Sequence, residues 1–185
     1  MIYTRLSYNT NSWESLSGSY GKSRNRGVHE FDYGFGFEEC LFSKSNVLTG
    51  NDGNKQHFGY IEGINKNYRN GDENESLVLF TINNTLHQRF IVGEIMKWKI
   101  VSPEESAFLV LHNFELIETM REQVAEATNN NVVALYKFDL HRHNENGHQL
   151  FNVKYEGIDF TFNIDNPVNQ GHITNKFNRF WLYRR

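Results

Sequence analysis

The stretch YGFGFEECLF, residues Tyr33–Phe42, places aromatic residues beside glycines and leads into acidic and apolar residues. A second stretch, FGYIEGINK, residues Phe58–Lys66, repeats this pattern. Glycine allows a backbone to approach a neighbour or a ligand closely, and aromatic side chains supply flat apolar faces. A pocket for a planar ligand uses this combination, and so does a tightly turned β core. In the first case the rings line a cavity, and in the second they are buried.

Length and composition predict one domain, residues 1–185, in a reducing compartment. A chain of 185 residues is long enough to bury a substantial core. Its single cysteine, Cys40, excludes an internal disulfide and a cysteine-based metal cluster, and its apolar surroundings favour a core thiol over a nucleophile. The polar start of the sequence and the lack of a long apolar run argue against a signal peptide and a membrane span. We therefore expect a cytoplasmic protein.

Charge is unevenly distributed along the chain. The net charge is −3, and the segment Glu104–Glu126 holds six acidic residues and one base, Arg121, which leaves 18 bases and 16 acids elsewhere. An acidic helix that faces away from a polyanion is compatible with a weakly basic surface that faces it, so the charge permits nucleic-acid binding without establishing it. A protein-interaction module that uses the acidic helix is an alternative.

Periodicity and turn residues predict a strand-rich α+β chain with one main helix. The predicted strands are Ile2–Tyr8, Phe58–Ile64, Leu77–Ile82, Arg89–Ile95, Lys97–Val101, Val132–Leu140, Leu150–Tyr155, Ile158–Ile164 and Phe177–Tyr183. Ser102 and Pro103 are an N-cap and an N1 residue, so we expect a helix over about 103–127. A helix within a series of strands indicates a curled sheet or a small β barrel.

The segments between these elements are polar or rich in glycine. Asn9–Gly27 and Lys44–His57 are predicted to be loops. Phe31–Phe37 is predicted to be extended and to pass into one or two helical turns over Glu38–Ser43. A bend is expected near Gly93, inside an otherwise regular strand.

Signatures of catalysis and metal binding are weak. His141 and His143 have the spacing of a metal-binding pair on a strand, but no third ligand is identifiable, so we interpret both as structural or solvent-facing. Glu38 and Glu39 do not face each other on a helix and make a poor acid–base pair. The sequence contains no H-E-x-x-H, G-x-S-x-G or P-loop motif. We expect no metal, no cofactor and no catalytic residue.

The aromatic residues beside glycines are the strongest functional candidates. Stacking on an unstacked base is worth about 1–3 kcal/mol, and a flipped base also needs polar groups at its edge. The predicted base-binding pocket consists of Trp13, Asp32, Tyr33, Phe35, Tyr60 and Asn65. Core packing is the alternative; we favour it for Phe37 and Phe42 and leave it open for Trp13.

Basic residues among small residues predict phosphate contacts. The set consists of Lys22, Arg24, Arg26, Lys66, Arg69 and Arg89. The first three alternate with small residues in the loop Asn9–Gly27. A solvated, mobile loop without a ligand is the alternative for that segment.

The order of motifs SYN…W…GFGFEE-C-LF…FGYIEGINK…LFTIN…RFIVGEI…FNVKY…NRFWLY, from Ser7 to Tyr183, resembles an N-terminal module of bacterial modification-dependent restriction proteins. In that family the module precedes a nuclease such as an HNH domain. RFIVGEI followed by a capped helix is also similar to EVE and other PUA-like domains, which hold a modified or flipped base in a pocket on a small β barrel. Cys40 stands where the family pattern has tryptophan, so a pocket that uses this ring is altered here, or the position belongs to the core.

The resemblance implies a DNA-binding specificity domain of a modification-dependent restriction system, which recognises a modified base, with methylcytosine as the expected base, by base flipping. Its partner is then double-stranded DNA that carries the modified base. No HNH or other nuclease motif is present, so cleavage would belong to a fused or partner nuclease outside these residues. An RNA-binding PUA-like domain and a small enzyme that acts on a nucleotide through Glu38 or the histidines are alternatives.

Overall fold

A computed structural model describes residues 1–156 and 180–184 of the chain. Its strands are β1 (Ile2–Leu6), β2 (Val47–Thr49), β3 (Lys55–Gly59), β4 (Leu77–Asn83), β5 (Gln88–Ile95), β6 (Trp98–Ile100), β7 (Val153–Tyr155) and β8 (Leu182–Arg184). Its α-helices are α1 (His29–Asp32), α2 (Glu62–Asn67), α3 (Pro103–His112), α4 (Phe114–Ala127) and α5 (Val132–Arg142). Short 3₁₀ helices cover Phe37–Cys40, Lys44–Asn46, Asp72–Asn74 and Glu145–Gly147. The predicted α+β class is confirmed.

The first sheet has the strand order β5-β4-β1-β8. Every residue of β4 is buried, as the continuous apolar run Leu77–Ile82 predicts. This strand pairs in parallel with β1 and antiparallel with β5, so it lies in the middle of the sheet. The bend expected near Gly93 is a β-bulge, because Leu79 pairs with Gly93 whereas Phe80 pairs with Ile91.

The second sheet is antiparallel and has the order β2-β3-β7-β6. The prediction of a loop over Lys44–His57 is wrong, because this segment contains β2 and the first part of β3. Only its middle is a turn, where the Gly50 N–H donates to the Asn54 carbonyl at 2.9 Å. The predicted strands Lys97–Val101 and Leu150–Tyr155 correspond to β6 and β7, which are shorter.

The prediction of a strand over Phe58–Ile64 is wrong in its second half. β3 ends at Gly59, and α2 follows after two residues. A Cβ atom on Gly63 would lie 2.6 Å from the Thr4 hydroxyl oxygen and 2.8 Å from the Trp181 backbone carbonyl carbon. Glycine therefore lets α2 pack directly against β1 and the last described segment. Because glycine has a low helix propensity, the sequence pattern does not indicate this helix.

The helix predicted over about 103–127 is two helices that meet at Asn113. The predicted N-cap is confirmed, because Ser102 Oγ accepts a hydrogen bond from the Glu105 N–H at 3.2 Å. Asn113 leaves the helical conformation, with φ −129° and ψ 45°. Its side chain donates to the Leu109 carbonyl at 2.8 Å and so satisfies an acceptor at the end of α3.

Residues Val132–Leu140 form a helix and not the predicted strand. The Asn131 side chain caps α5 by accepting hydrogen bonds from the N–H groups of Val133, at 2.9 Å, and Ala134, at 3.3 Å. Valine and aromatic residues favour a strand by propensity alone. The buried residues Ala134 and Phe138 are four apart, which is the helical period that decides the conformation here.

The segments around Tyr33–Phe42 agree with the predictions in part. Asn9–Gly27 contains no regular element, as expected. Phe31–Phe37 is not extended throughout, because α1 reaches Asp32. The predicted helical turns over Glu38–Ser43 are present as the 3₁₀ helix Phe37–Cys40.

The 3₁₀ helix Phe37–Cys40 brings two acidic residues into the interior. Glu39 accepts hydrogen bonds from the N–H groups of Gly36, at 2.7 Å, and Ser17, at 2.9 Å, and pairs with Lys22 Nζ at 2.7 Å. A Cβ atom on Gly36 would lie only 2.0 Å from Ser7 Oγ, so this glycine permits the close approach of the helix to the end of β1. The stretch Tyr33–Phe42 thus fixes the long N-terminal loop to the core through the Glu39 carboxylate.

Two apolar cores hold the sheets and helices together. The first contains residues of both sheets, among them Ile2, Leu6, Val92 and Trp98, together with Trp13 from the N-terminal loop. The second lies beneath α3, α4 and α5 and contains Phe35, Phe37, Cys40, Phe58 and Phe138. Cys40 is buried as predicted, and burial raises the pKa of its thiol to about 12.

Within residues 1–156 and 180–184, the two sheets do not close into a barrel. The predicted strand Ile158–Ile164 lies outside the described residues, as do the first three positions of Phe177–Tyr183, of which β8 takes the last two. No helix in the described ranges is long and apolar enough to cross a membrane.

Candidate functional site

A cavity of about 550 Å³ opens where β1, the segment after the N-terminal loop, α2 and the second half of α5 meet. The residues that line it are Arg5, Gly27, Val28, His29, Asp32, Tyr33, Phe37, Tyr60, Glu62, Asn65, Lys66, Lys137, His141, Gly147, His148, Phe180 and Trp181. Five of these are Phe, Tyr or Trp and three are His. Both aromatic and glycine stretches contribute: Tyr33 and Phe37 come from Tyr33–Phe42, and the lining residues between Tyr60 and Lys66 come from Phe58–Lys66.

Aromatic rings form the walls. The Phe37 ring stacks on the His141 ring with 3.9 Å between centroids, and its centroid lies 5.3 Å from that of Tyr60. Tyr33 is half-buried, and Trp181 is 40% exposed. The cavity therefore combines a rigid inner wall with two rings that solvent reaches.

A hydrogen-bonded network runs along α2 at the cavity edge. The Tyr60 hydroxyl donates to Glu62 and accepts from Asn65 Nδ2 at 3.2 Å. Asn152 Nδ2 donates to Asn65 Oδ1 at 3.0 Å, and Lys66 Nζ lies 3.0 Å from Glu62 Oε1. Burial raises the pKa of Tyr60 well above its ordinary value, so the phenol keeps its proton.

Three histidines of the cavity are neutral at physiological pH. Burial lowers the pKa of His29 and of His141 to about 3, and it also lowers the pKa of His148. Lys137 Nζ lies 3.1 Å from His148 Nε2, and a positive charge at this position opposes protonation of the rings. His29 Nε2 is buried and has no hydrogen-bond partner among the described residues.

A small recess of about 20 Å³ adjoins the cavity at its floor. The recess is lined by Ser7, His29, Glu30, Phe37, Glu38, Tyr60, Glu62 and Phe180. Glu38 accepts hydrogen bonds from Ser7 Oγ and from the Glu62 N–H, each at 3.2 Å. Burial, followed by repulsion from the Glu62 carboxylate, raises the pKa of Glu38 to about 8, so this carboxyl is mainly protonated at neutral pH.

The cavity contains four of the six residues predicted to form a base-binding pocket, namely Asp32, Tyr33, Tyr60 and Asn65. Trp13 is not among them. It is 1% exposed in the first core, and its Nε1 donates to the Ser7 carbonyl at 2.9 Å. Phe35 is also buried, and its ring centroid lies 5.0 Å from that of Phe37, so it supports the wall from behind. The assignment of Trp13 and Phe35 to the pocket is therefore corrected to core packing.

The residues predicted to contact phosphates likewise divide into accessible and buried side chains. Lys66 is exposed and lines the cavity, and three arginines are exposed on loops: Arg24, Arg26 and Arg69. Lys22 is 2% exposed and paired with Glu39, because its loop folds back onto the core. Arg89 is buried on β5. Neither of these two side chains is accessible to a phosphate, which corrects their predicted role.

Several cavity residues were not predicted from the sequence. These are Arg5, His29, Phe37, Glu62, Lys137, His141, His148, Phe180 and Trp181. A helical assignment of α5 would have indicated that Lys137 and His141, which are four residues apart, share a face. The asparagine cap at Asn131 was the available signal for that helix.

A second groove, of about 330 Å³, lies beside β6 and β7. It is lined by Gln56, Glu73, Asn74, Lys97, Trp98, Lys99, Lys154, Tyr155 and Glu156, and thus by none of the predicted site residues. Lys154 is already bound to Glu105, with Nζ 2.7 Å from Oε1. The described residues contain no cluster of three metal-binding side chains at this groove or elsewhere.

The comparisons find no family model, no curated protein and no solved structure that matches this chain. The cavity must therefore be interpreted from its own chemistry.

Proposed function

We propose that this chain is a non-catalytic DNA-binding specificity domain that holds an extruded, modified base in the aromatic cavity. The observation that carries the proposal is the convergence at one cavity of aromatic walls, hydrogen-bonding edge groups and the exposed cation Lys66. Kinship with EVE and other PUA-like domains, a modified cytosine as the base and a fused or partner nuclease belong to the same proposal.

The size and walls of the cavity suit a planar ligand. A volume of about 550 Å³ lies within the range of roughly 300–1,000 Å³ typical of small-molecule sites. Extrusion of a base costs a few kcal/mol, and stacking returns about 1–3 kcal/mol per base. Hydrogen bonds that the base edge accepts from the Asn65 amide and donates to the Asp32 carboxylate supply the remainder.

The recess at the floor supports recognition of a modification. Its volume of about 20 Å³ has room for one group the size of water or methyl. An unmodified base leaves this recess unfilled, whereas a small substituent fills it. Discrimination therefore follows from packing at a site beside Glu38 and His29.

Exposed basic side chains supply the phosphate contacts. Lys66 lies at the cavity edge, Arg24 and Arg26 are exposed on the loop that leads to the lining residue Gly27, and Arg69 is exposed two residues after α2. Such contacts release counterions from DNA, so binding weakens steeply as salt rises. Lys66→Ala should reduce the salt dependence, and Lys44→Ala, an exposed lysine outside the cavity, should not.

The direct test compares two duplexes that differ only in one modified base. We expect the modified duplex to bind at least about tenfold tighter and to increase the fluorescence of 2-aminopurine placed beside the modified base, because that base leaves the stack. Tyr33→Ala should lower both signals, whereas Tyr136→Ala, which removes a ring 63% exposed on α5, should change neither. Equal affinity for the two duplexes would refute the proposal.

One observation favours a second candidate, an enzyme that acts on a free nucleotide. Glu38, with a pKa of about 8, lines the recess together with the neutral His29 and thus has the protonation state of a general acid. A rise in melting temperature with nucleosides, together with no response to duplex, would favour this candidate. Competition by structured RNA against duplex DNA would instead favour an RNA-binding PUA-like domain.

A further inference from the structure

His141 presents a hydrogen-bond acceptor to the cavity. Its Nδ1 lies 3.1 Å from the Lys137 carbonyl oxygen, which only accepts, so Nδ1 carries the proton. Burial lowers the pKa of the ring to about 3, so the ring is neutral and Nε2 carries a lone pair. Among the residues that the structure describes, Nε2 has no hydrogen-bond partner, and His141 forms part of the cavity wall.

The ring is held in this orientation from three sides. It stacks on Phe37, with 3.9 Å between centroids and 29° between planes, and meets the Tyr60 ring edge-on at 5.6 Å. The His148 ring lies 4.5 Å away. Rotation of His141 would break the bond to the Lys137 carbonyl, so the acceptor is preorganised rather than adaptable.

The nearest alternative acceptor is already engaged. Lys137 Nζ lies 3.1 Å from His148 Nε2 and donates to it. His148 Nε2 is therefore occupied, whereas His141 Nε2 meets a ligand as a free acceptor. A ligand group that only accepts hydrogen bonds would be repelled by the Nε2 lone pair, whereas a donor group would form a hydrogen bond with it.

We infer that His141 is a specificity-determining residue that selects a base with an amino group at C4 of a pyrimidine or C6 of a purine, by accepting a hydrogen bond from that group at Nε2. Cytosine and adenine carry an amino group at the position where thymine and guanine carry a carbonyl oxygen. This inference rests on the proposed function, and it adds the class of base that the cavity accepts.

The test places 5-methylcytosine or thymine opposite guanine at the same position of one duplex. The two bases differ in the amino or oxo group at C4 and in the proton on N3. The thymine mismatch is the easier base to extrude, so a cavity without this preference would bind it more tightly. We expect the wild-type protein to bind the 5-methylcytosine duplex at least about tenfold tighter than the thymine duplex.

His141→Phe keeps a flat ring against Phe37 and removes the acceptor, so this preference should be lost. His143→Phe, at an exposed position two residues further on, should keep it. Equal or tighter wild-type binding of the thymine duplex would overturn the inference, even if the variant fails to fold. Persistence of the preference in folded His141→Phe would also overturn it. If the 5-methylcytosine duplex binds no better than its unmodified cytosine counterpart, the proposed function itself fails.

Discussion

Glu38 and Glu39 are neighbours in one 3₁₀ helix, yet they lie in opposite environments. Glu39 accepts hydrogen bonds from Asn9, Ser17 and Gly36 and pairs with Lys22. Glu38 has two hydrogen-bond donors, and it borders the recess beneath the aromatic cavity. One side of the segment therefore holds the N-terminal loop in place, and the other side is available to a ligand.

The difference shows how a single motif serves two purposes. On the core side, Glu39 has several hydrogen-bond partners and an ion pair. A substitution there should lower the free energy of unfolding without a specific effect on binding. The cavity side contains unsatisfied atoms, such as His29 Nε2, and a substitution there should affect binding more than stability. Four substitutions test this division.

The largest expected effect is the loss of Lys22. Lys22→Met leaves the buried Glu39 carboxylate without its cation, so we expect the free energy of unfolding to fall by about 3–5 kcal/mol in urea denaturation. Arg24→Met, two residues further on and exposed, should leave the unfolding curve unchanged. A stable Lys22→Met protein with weakened DNA binding would restore Lys22 as a phosphate contact.

Glu38→Gln should remove a dependence of stability on pH. In the folded protein Glu38 keeps its proton up to about pH 8, whereas in the unfolded chain it ionises near its ordinary pKa of 4.5. The folded state binds more protons between these values, so stability falls as pH rises through this window. Each pKa unit is worth about 1.4 kcal/mol, so we expect a slope large enough to measure.

Urea denaturation from pH 5 to pH 8 measures this slope. Wild-type protein should lose stability toward pH 8 relative to Glu38→Gln, which cannot ionise. Glu115→Gln, at an exposed position on α4, should follow the wild type. Parallel curves for the wild type and Glu38→Gln would show that Glu38 is not held in its protonated form.

Trp13→Phe should have a moderate effect on stability and none on base preference. The substitution keeps a ring in the first core and leaves the buried Ser7 carbonyl without its donor, which costs about 1–3 kcal/mol. Thermal melting measures the loss, and the ratio of affinities for modified and unmodified duplexes should stay at the wild-type value. A changed ratio in the folded variant would return Trp13 to the binding site.

Tyr33→Ala should have the smallest effect on stability, about 1 kcal/mol, since the ring is half-buried and its neighbour His29 keeps other contacts. Its main effect should be on affinity for the modified duplex. Thermal melting measures the first effect and titration the second. A loss of stability as large as that of Trp13→Phe, without a loss of affinity, would place Tyr33 among the structural residues.

The regular parts of the fold could be predicted from local patterns. The buried run of β4, its antiparallel partner β5 and the capped start of α3 all follow from neighbouring residues. The helix α5 had one local signal, the Asn131 cap, although the strand propensities of the residues that follow favour a strand. α2 could not be predicted, because the close approach of Gly63 to Thr4 and Trp181 permits it. Such a decision depends on contacts that are distant in the sequence.

The candidate site was predictable where the aromatic and glycine pattern was direct. Tyr33, Tyr60 and Asn65 belong to the two quoted stretches and line one cavity. Lys22 and Arg24 lie in the same polar loop, and no local feature indicates that only the first reaches a buried carboxylate 17 residues further on. Burial of a charge is decided by its distant partner, and that partner appears only in the folded chain.

The missing side chain at Gly63 also positions Trp181, which lines the cavity. Because hydrogen stands where any other residue carries carbon, α2 touches the main chain of Trp181 directly. Added bulk at this point would act as a spacer between the helix and Trp181. We therefore expect alanine at position 63 to displace Trp181 and to change the shape of the cavity that this residue lines.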